Sequence, residues 1–435
     1  MKASILNGIA EAALCAALAM STQITAQAQS AAQEENSEQV RYTIIDLGNV
    51  GPDGQPLQIT NNGLVAGATA VGSALHAALW YHGRMLDLGT PGLKGQNSEA
   101  FGVNVQGHAV GEAQTSSLDP EGEDFCGFAA LGLPSPGGTC VPFLWQNGVM
   151  NPLPTLGGNN GAANKINSPG EVAGTAENNM PDSTCPSGGP QKYQFRPVVW
   201  RNGAVQELPT YSADPDGTAM AINDLGQAAG ASGDCAAFSP IMGDNLQPLH
   251  ALLWEGGRAT DLGTLGGTGH GFGIRAENLN NLGQVIGYSD LAGDGTFHAF
   301  LWTKETGMQD LKALGTDPNS IAIGINDAGD VVGASIDATF TVVRAFLRRR
   351  GEDLIDLNEH IPADSPLDLF TACSINARGE IIGIAIDKIS GDVHGYLAVP
   401  DNSQNPLESL PAVTPTQGSE STGKLQFWRF GIGGR

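Results

Sequence analysis

Acidic side chains crowd into four short stretches, where they could bind a cation or cleave a sugar chain. The stretches are LDPEGED (118–124), MPDS (180–183), ADPDGT (213–218) and LAGDGT (291–296). Asp-x-Asp-Gly resembles part of a calcium loop, because a hard cation takes several oxygens from one tight turn, but the closing Glu is missing. Two carboxylates across a cleft also hydrolyse glycosides, although no pair can be singled out. The sequence favours a third interpretation, solvated Asp-Pro and Asp-Gly turns.

Four cysteines lie in the same part of the chain and predict disulfides. They are Cys126, Cys140, Cys185 and Cys235. Cysteines of an exported protein pair with one another, and four thiols allow three pairings. We favour Cys126 with Cys140 and Cys185 with Cys235. Zinc is the alternative, but the spacings are irregular and no C-x-x-C pair is present. We expect Cys373, just before a strand, to be a buried free thiol.

Histidines recur at matching places and raise the question of a metal site. His76, His250, His298 and His394 open the runs HAALW, HALLW, HAFLW and HGYLA, while Pro142, Arg196 and Arg344 hold related positions in other runs. Zinc needs ligands that converge, and matching places in different repeats lie far apart. We therefore expect structural imidazoles that are hydrogen-bonded to the backbone.

The elements that must position these residues are repeats. An Asn-x-x-Gly phrase occurs seven times, in ITNNGLVAG (59–67), VNVQGHAVG (103–111), INSPGEVAG (166–174), INDLGQAAG (222–230), LNNLGQVIG (279–287), INDAGDVVG (325–333) and INARGEIIG (375–383). We take its leading residues as Asn61, Asn104, Asn167, Asn223, Asn280, Asn326 and Asn376. A run such as HAFLW and then a run ending in Asp-Leu follow most copies. Short apolar runs between Gly/Asn/Asp turns are strands, and four per unit are typical of a propeller blade.

The two ends of the repeat array complement each other. The seventh unit ends at HGYLAVP without an Asp-Leu strand, while YTIIDLG (42–48) is that strand without partners. Joining them leaves no exposed sheet edge between the first and last blades. The sequence predicts an all-β, seven-bladed β-propeller over 42–400, with four-stranded antiparallel blades, closed by the N-terminal strand 42–48. An open β-solenoid or two smaller sandwiches are the alternatives.

The five tryptophans of the repeats are expected to pack between neighbouring sheets, with sugar stacking as the alternative. They are Trp80, Trp145, Trp200, Trp254 and Trp302.

HAFLW, INDAGDVVG and DLGTLGG (261–267) resemble the bacterial extracellular HAF-repeat family over about residues 42–400. The sixth and seventh units depart from it at Arg348 and Ala398, where Trp is usual. The resemblance implies an exported repeat protein and brings no established reaction or ligand with it.

The net charge and the two chain ends limit the partners and the location that we expect. With 21 basic and 45 acidic residues the net charge is −24, which excludes nucleic acid as an expected partner. Residues 1–28 read as a signal peptide ending at Ala26-Gln27-Ala28, 29–41 as a linker and 401–435 as a flexible tail. No stretch is long enough for a membrane span. We expect a monomer that is secreted or periplasmic.

Function is expected where the repeat is interrupted. Insertions at 112–141, 175–195 and 231–249 fall between the second and third strands of units two to four, so one rim is built up and the other is plain. We expect a non-catalytic binding module for an extracellular protein or glycan, with no cofactor unless calcium binds. A polysaccharide-degrading enzyme using rim carboxylates is the alternative, and a purely structural envelope component is a third. No catalytic, cofactor-binding or metal-binding residue is assigned.

Overall fold

The computed structural model describes residues 41–401, except 52–53, 82–83, 130–131, 136, 187–188, 190, 236–248 and 270–272. The signal peptide (1–28), the linker (29–41) and the tail (401–435) lie outside the described residues, apart from Arg41 and Asp401, and remain predictions. In the described part of the chain, no helix has the length and apolar character needed to cross a membrane.

Seven antiparallel sheets of four strands form the propeller, as predicted. Blade 1 contains β2 (Gln55–Ile59), β3 (Val65–Val71), β4 (Ala74–Tyr81) and β5 (Arg84–Asp87). Blade 2 contains β6 (Lys94–Val103), β7 (Ala109–Leu118), β8 (Gly138–Gln146) and β9 (Val149–Pro152). Blade 3 contains β10 (Gly157–Ile166), β11 (Val172–Pro181), β12 (Tyr193–Arg201) and β13 (Ala204–Glu207). Blade 4 contains β14 (Asp216–Ile222), β15 (Ala228–Gly233), β16 (His250–Glu255) and β17 (Arg258–Asp261).

Blade 5 contains β18 (Ile274–Leu279), β19 (Val285–Asp290), β20 (Phe297–Thr303) and β21 (Gly307–Lys312). Blade 6 contains β22 (Asn319–Ile325), β23 (Val331–Ile336), β24 (Val343–Arg348) and β25 (Leu354–Asp356), followed by a 3₁₀ turn at Leu357–His360. Blade 7 contains β26 (Leu367–Ile375), β27 (Ile381–Asp387), β28 (Val393–Pro400) and the N-terminal strand β1 (Tyr42–Asn49). β1 pairs antiparallel with β28, with Tyr42 opposite Pro400, so the predicted closure is confirmed.

The Asn-x-x-Gly phrase forms the turn between the first and second strands of each blade. In blade 6 the Asn326 side-chain Oδ1 accepts the N–H of Asp330 at 3.0 Å, and the N–H of Gly329 donates to the Asn326 carbonyl at 3.1 Å. Gly329 has a φ of +87°, which a residue without a Cβ adopts without strain. The turn is therefore encoded locally.

One leading residue was misplaced by the sequence alignment. In blade 1 the turn begins at Thr60 rather than Asn61, because the N–H of Thr60 donates to the Leu64 carbonyl at 2.9 Å, as the leading Asn does elsewhere. The Thr60 Oγ1 accepts the N–H of Leu64 at 3.0 Å and so replaces the amide oxygen. Thr60 has no group that corresponds to the side-chain amide nitrogen of the leading Asn in the other blades.

The core lies between adjacent blades, and the tryptophans occupy it as predicted. Trp254 of blade 4 is 1 % exposed and packs against Val199 and Leu208 of blade 3. Its indole N–H donates to the carbonyl of Pro209 at 2.7 Å. Trp200 donates to the Pro154 carbonyl at the same distance. Each indole thus fastens the connection that enters its own blade and buries a large apolar ring.

Every innermost strand carries a register shift at the same place, three residues before its leading residue. The residues left out of the pairing are Leu57, Phe101, Asn164, Met220, Glu277, Ile323 and Cys373. A bulge bends its strand locally. Cys373 is a buried free thiol, as expected, but it lies inside β26 rather than before it.

The repeated histidines pair with carboxylates, so the expected backbone partner is wrong. The Nδ1 of His76 lies 2.9 Å from the Asp87 carboxylate on the neighbouring strand, and that of His298 lies 2.8 Å from Asp310. In blades 1 and 5 the first residue of the His-Ala-x-Leu-Trp run therefore contacts the aspartate of the Asp-Leu run, whereas His250 of blade 4 lies 3.0 Å from Asp214, in the connection that leads into its blade. His394 makes the same contact with Asp46 of β1 at 2.9 Å, which joins the two ends of the propeller. In blade 3 an arginine and a glutamate take these places, with Arg196 2.7 Å from Glu207.

Candidate functional site

The two faces of the propeller differ in loop length. On the rim face, the loops between second and third strands are short in blades 1, 5, 6 and 7, and blade 1 needs only residues 72–73. Blades 2, 3 and 4 carry rim loop 2 (119–137), rim loop 3 (182–192) and rim loop 4 (234–249). These loops are shorter than the predicted insertions 112–141, 175–195 and 231–249, because the flanking strands extend into them.

Two disulfides fasten the rim loops, in the pairing that the sequence favoured. Cys126 of rim loop 2 bonds to Cys140 on β8, and Cys185 of rim loop 3 bonds to Cys235 of rim loop 4. The sequence separations of 14 and 50 residues correspond to stabilisations of about 3 and about 4 kcal/mol in the chain-entropy model. The second disulfide joins two blades.

A group of three potential metal ligands among the described residues lies at the first disulfide. It consists of Glu112, Cys126 and Cys140. Both sulfurs are consumed by the disulfide and offer no thiolate, so this group does not fit a zinc site. Burial, and secondarily the Asp124 carboxylate, raises the pKa of Glu112 well above its ordinary value. The buried side chain therefore gives up its proton less readily than an exposed glutamate does.

Three buried carboxyls converge beneath rim loops 2 and 3. Asp119, Glu123 and Glu177 are 7 %, 2 % and 0 % exposed. The Asn160 Nδ2 donates to Asp119 at 3.0 Å and to Glu123 at 3.2 Å, while the Asn160 N–H donates to Glu177 at 2.9 Å. Rim loop 3 closes the group, because the N–H of Lys192 donates to Glu123 at 2.6 Å. We call this group the carboxyl joint.

The carboxyl joint holds a proton near neutral pH. Burial raises the pKa of Glu177 to about 7, and the adjacent Glu123 carboxylate adds to the rise. Burial likewise raises the pKa of Glu123, against the opposing hydrogen bonds from Lys192 and Tyr193. Two carboxyls in contact in a dry environment ionise with difficulty together, so one proton is retained between them.

A second carboxyl pair joins rim loop 3 to blade 4. Burial, reinforced by the hydrogen bond with Asp182, raises the pKa of Asp216 to about 9. The pKa of Asp182 is lowered, because hydrogen bonds with Asp216 and Thr184 outweigh the effect of burial. The Thr184 hydroxyl also accepts the N–H of Cys235 at 3.0 Å. Disulfide and carboxyl pair therefore fasten the same junction.

These contacts overturn the solvated-turn interpretation for two of the four acidic stretches, 118–124 and 213–218. Asp119 and Glu123 are buried because the long loops fold back and present backbone N–H groups to them, and Asp216 is buried at the start of β14, where it accepts the N–H of Phe195 on β12. Asp294 in LAGDGT lies on the surface, where its carboxylate accepts bonds from the N–H and hydroxyl of Thr268 at 2.7 and 2.6 Å. Each oxygen of the carboxyl joint accepts a hydrogen bond from the chain. Calcium binding remains a prediction.

The opposite, plain face carries a belt of asparagines that the sequence analysis missed. Each Nδ2 donates to the carbonyl of the leading residue in the next blade: Asn104 to Asn167 (3.3 Å), Asn167 to Asn223 (2.9 Å), Asn223 to Asn280 (3.0 Å), Asn280 to Asn326 (3.0 Å), Asn326 to Asn376 (3.1 Å) and Asn376 to Thr60 (3.1 Å). Thr60 has no amide with which to reach blade 2. There Asn62 donates instead to the Val105 carbonyl at 3.1 Å.

A signal for the belt was present in the sequence. From Asn167 onward, each leading Asn is followed four residues later by Glu, Gln or Asp. That side chain accepts the second amide hydrogen, as when the Asn280 Nδ2 donates to the Gln284 Oε1 at 2.7 Å. Inside the belt lies a cavity of about 170 Å³ at the mouth of the central channel.

No family model matches the chain, and no curated protein matches it in sequence. Among solved structures, the β-propeller domain of the trilobed protease from Pyrococcus furiosus is similar, with 8% identity, a TM-score of 0.46, and coverage of 85% of this chain and 99% of that one. Streptogramin B lyase has 8% identity and a TM-score of 0.46, covering 82% and 97%. Oligogalacturonate lyase in complex with manganese has 10% identity and a TM-score of 0.38, covering 83% and 97%. These similarities concern the propeller fold alone.

Proposed function

We propose that the chain is an exported, non-catalytic binding module whose contact surface is the rim formed by rim loops 2, 3 and 4. The observation that carries the proposal is the cross-linking of these loops by two disulfides and two buried carboxyl groupings. Loop residues that cross-links hold in place before binding lose less conformational entropy when a partner arrives. The disulfides also favour an oxidising, exported environment.

Exposed apolar side chains on this rim favour a protein as the partner. Leu118 at the end of β7 is 70 % exposed, and Met180 near the end of β11 is 56 % exposed. Tyr211, in the connection that leads into blade 4, is 39 % exposed and stacks on His250. The removal of aliphatic side chains from water by contact with another protein favours binding. A glycan ligand would depend chiefly on Tyr211, because sugars stack on aromatic rings.

A glycoside hydrolase is the second candidate, and one observation favours it. The pKa of Glu177, raised to about 7 by burial and Glu123, is suited to a general acid. Against this, the side chain is 0 % exposed and both its oxygens are engaged by chain donors. A catalytic acid must reach the glycosidic oxygen. We therefore place binding first.

Photo-crosslinking tests the rim as the contact surface. A photoreactive residue replaces Leu118 in one variant and Leu225 in another, where Leu225 is 72 % exposed on a plain-face turn and serves as the matched control. With an extracellular protein extract as the probe, we expect a defined adduct from position 118 that disappears in the Met180→Asp background. Adducts of equal yield at both positions would contradict the proposal.

Incubation with bacterial and plant polysaccharides, followed by product analysis, tests the enzyme candidate. Unchanged polymers are expected. Turnover that is lost in Glu177→Gln, with the disulfides and the fold intact, would make the hydrolase the better account.

A further inference from the structure

Seven inner-strand residues form a collar just beneath the asparagine belt. They stand two positions before each leading residue and are Gln58, Gly102, Lys165, Ala221, Asn278, Gly324 and Ser374. Polar residues occupy blades 1, 3, 5 and 7, and Gly or Ala occupies blades 2, 4 and 6. All four polar members line the cavity of about 170 Å³.

The small residues make room for the polar ones. A Cβ on Gly102 would lie 3.1 Å from the Lys165 Cα and 3.2 Å from the Gln58 Oε1. A Cβ on Gly324 would lie 2.8 Å from the Ser374 Cα. Larger side chains at these places would force the strands apart, so the alternation keeps the cavity open while its wall stays polar.

Donors without chain acceptors face this cavity. The Gln58 Oε1 accepts the N–H of Val103 at 3.0 Å, which turns its amide nitrogen towards other partners. In the part of the chain that the structure describes, neither that nitrogen nor the Lys165 Nζ has an acceptor or ion-pair partner. Two further polar groups of the wall are already bonded to the chain, since the Asn278 Nδ2 donates to the Ile323 carbonyl at 3.3 Å and the Ser374 hydroxyl accepts the N–H of Ile59 at 3.3 Å.

Lys165 has no charged neighbour that affects its pKa, although the chain as a whole is strongly acidic. Burial alone lowers its pKa to about 8, with no contribution from a charged neighbour, so most of the amine is protonated at pH 7. The two carboxylates at the cavity mouth are occupied by the adjacent blades, since Asp224 accepts from Ser168 and Asp327 accepts from Asn281. A half-buried cation without a counter-charge is unfavourable, and an external anion would relieve that cost.

We propose that this cavity binds a small organic carboxylate that bears hydroxyl groups, with the carboxylate on Lys165 and the hydroxyls against Gln58, Asn278 and Ser374. An apolar cavity of about 150 Å³ accommodates benzene, so the space here suits a single sugar acid. The site opens on the plain face. It is independent of the rim, and either can fail without the other.

Titration with D-glucuronate, with D-glucose as the neutral control and inorganic phosphate as a second anion, tests the proposal. Wild-type protein should bind D-glucuronate saturably at pH 7, and D-glucose and phosphate at least tenfold more weakly. Lys165→Met should weaken D-glucuronate binding at least tenfold. Lys304→Met, which alters an exposed lysine in the turn between β20 and β21, should leave it unchanged.

A measurement on the unaltered chain guards against misfolding of the variant. In protein labelled with ¹³C-lysine, saturating D-glucuronate should move one lysine ε-methylene signal and raise its pKa above about 8. Absence of saturable binding, equal binding of phosphate, or unchanged affinity in folded Lys165→Met would each overturn the proposal.

Discussion

The plain face and the rim face of the same seven sheets are held together by different kinds of contact. On the plain face one contact is repeated from blade to blade, with an asparagine amide reaching the next leading carbonyl six times. On the rim face the contacts are unique, and two disulfides hold loops of three blades. The repeated asparagine bonds join each blade to the next around the ring, whereas the rim loops form a surface that differs from blade to blade. The second kind of surface is the one suited to a specific macromolecular partner.

The largest effect is expected from the disulfide between rim loops. Replacing both Cys185 and Cys235 by serine should lower the free energy of unfolding of the rim junction by about 4 kcal/mol, because the unfolded chain regains the entropy of a 50-residue loop. Limited proteolysis should then cut between 182 and 192 while the other blades stay intact. Uniform loss of all blades would contradict the division between the two faces.

Breaking the belt should act on the whole ring. In Asn280→Ala the amide bonds to Gln284 and Asn326 and the amide-oxygen bonds from Leu282 and Gln284 are lost in a buried position. We expect a loss of about 2–4 kcal/mol of global stability, measured by urea unfolding. Asn281→Ala, which removes a half-buried neighbour with one amide bond to Asp327 and one from the N–H of Asp224, is the control and should cost about 1 kcal/mol or less. Equal losses in the two variants would show that the belt has no special role.

The carboxyl joint should make the stability of the rim depend on pH. The pKa of Glu177 is raised from 4.5 to about 7 by folding, so the folded state holds its proton more tightly than the unfolded chain does. Its stabilising contribution is complete below about pH 4.5 and falls as the pH rises to about 7, with a slope of at most about 1.4 kcal/mol per pH unit. Urea unfolding between pH 5 and pH 8 should reveal this slope, and Glu177→Gln should make it shallower, while the part due to Asp216, whose pKa folding raises to about 9, remains.

Glu207→Gln is the control for the pH series, because it removes one negative charge from an exposed carboxyl on β13. It should retain the wild-type slope. If Glu177→Gln and wild type showed the same slope between pH 5 and pH 7, the joint would not be the proton-binding group.

The smallest effect concerns the interrupted step of the belt. Thr60→Asn should supply the amide that blade 1 lacks and allow it to reach the Asn104 carbonyl of blade 2. One added hydrogen bond is worth about 1 kcal/mol, so the midpoint of unfolding should rise slightly. A fall would mean that the bond from Asn62 to Val105 already satisfies this junction and excludes a second one.

The number of blades and the closure of the ring could be predicted from the sequence, because both depend on local signals. The turn at Gly329 and the run that contains Trp254 are encoded within a few residues, and periodicity locates them. The first residue of the blade 1 turn was not identified from the sequence, because Asn61 and Asn62 both precede Gly63. Only the backbone bonds of Thr60 distinguish the correct start.

The contacts that were missed join residues distant in sequence. Glu123 and Glu177 belong to different blades, and their burial depends on where two insertions fold, which no local pattern encodes. The partner of His298 lies across a hairpin of variable length. The collar emerges only when the seven inner strands are aligned by their bulges, and that alignment comes from the pairing of the strands.

Hydrogen exchange of the oxidised chain tests most directly whether the rim is a preformed surface on a regular ring. We expect the amides of Lys192 and Tyr193, which donate to Glu123, to be protected without any partner. Protection there should fall in the Cys185→Ser, Cys235→Ser variant, while the N–H of Asp330 in the belt keeps its protection. Exchange of Lys192 and Tyr193 at the rate of an unstructured chain in the oxidised wild type would contradict the account.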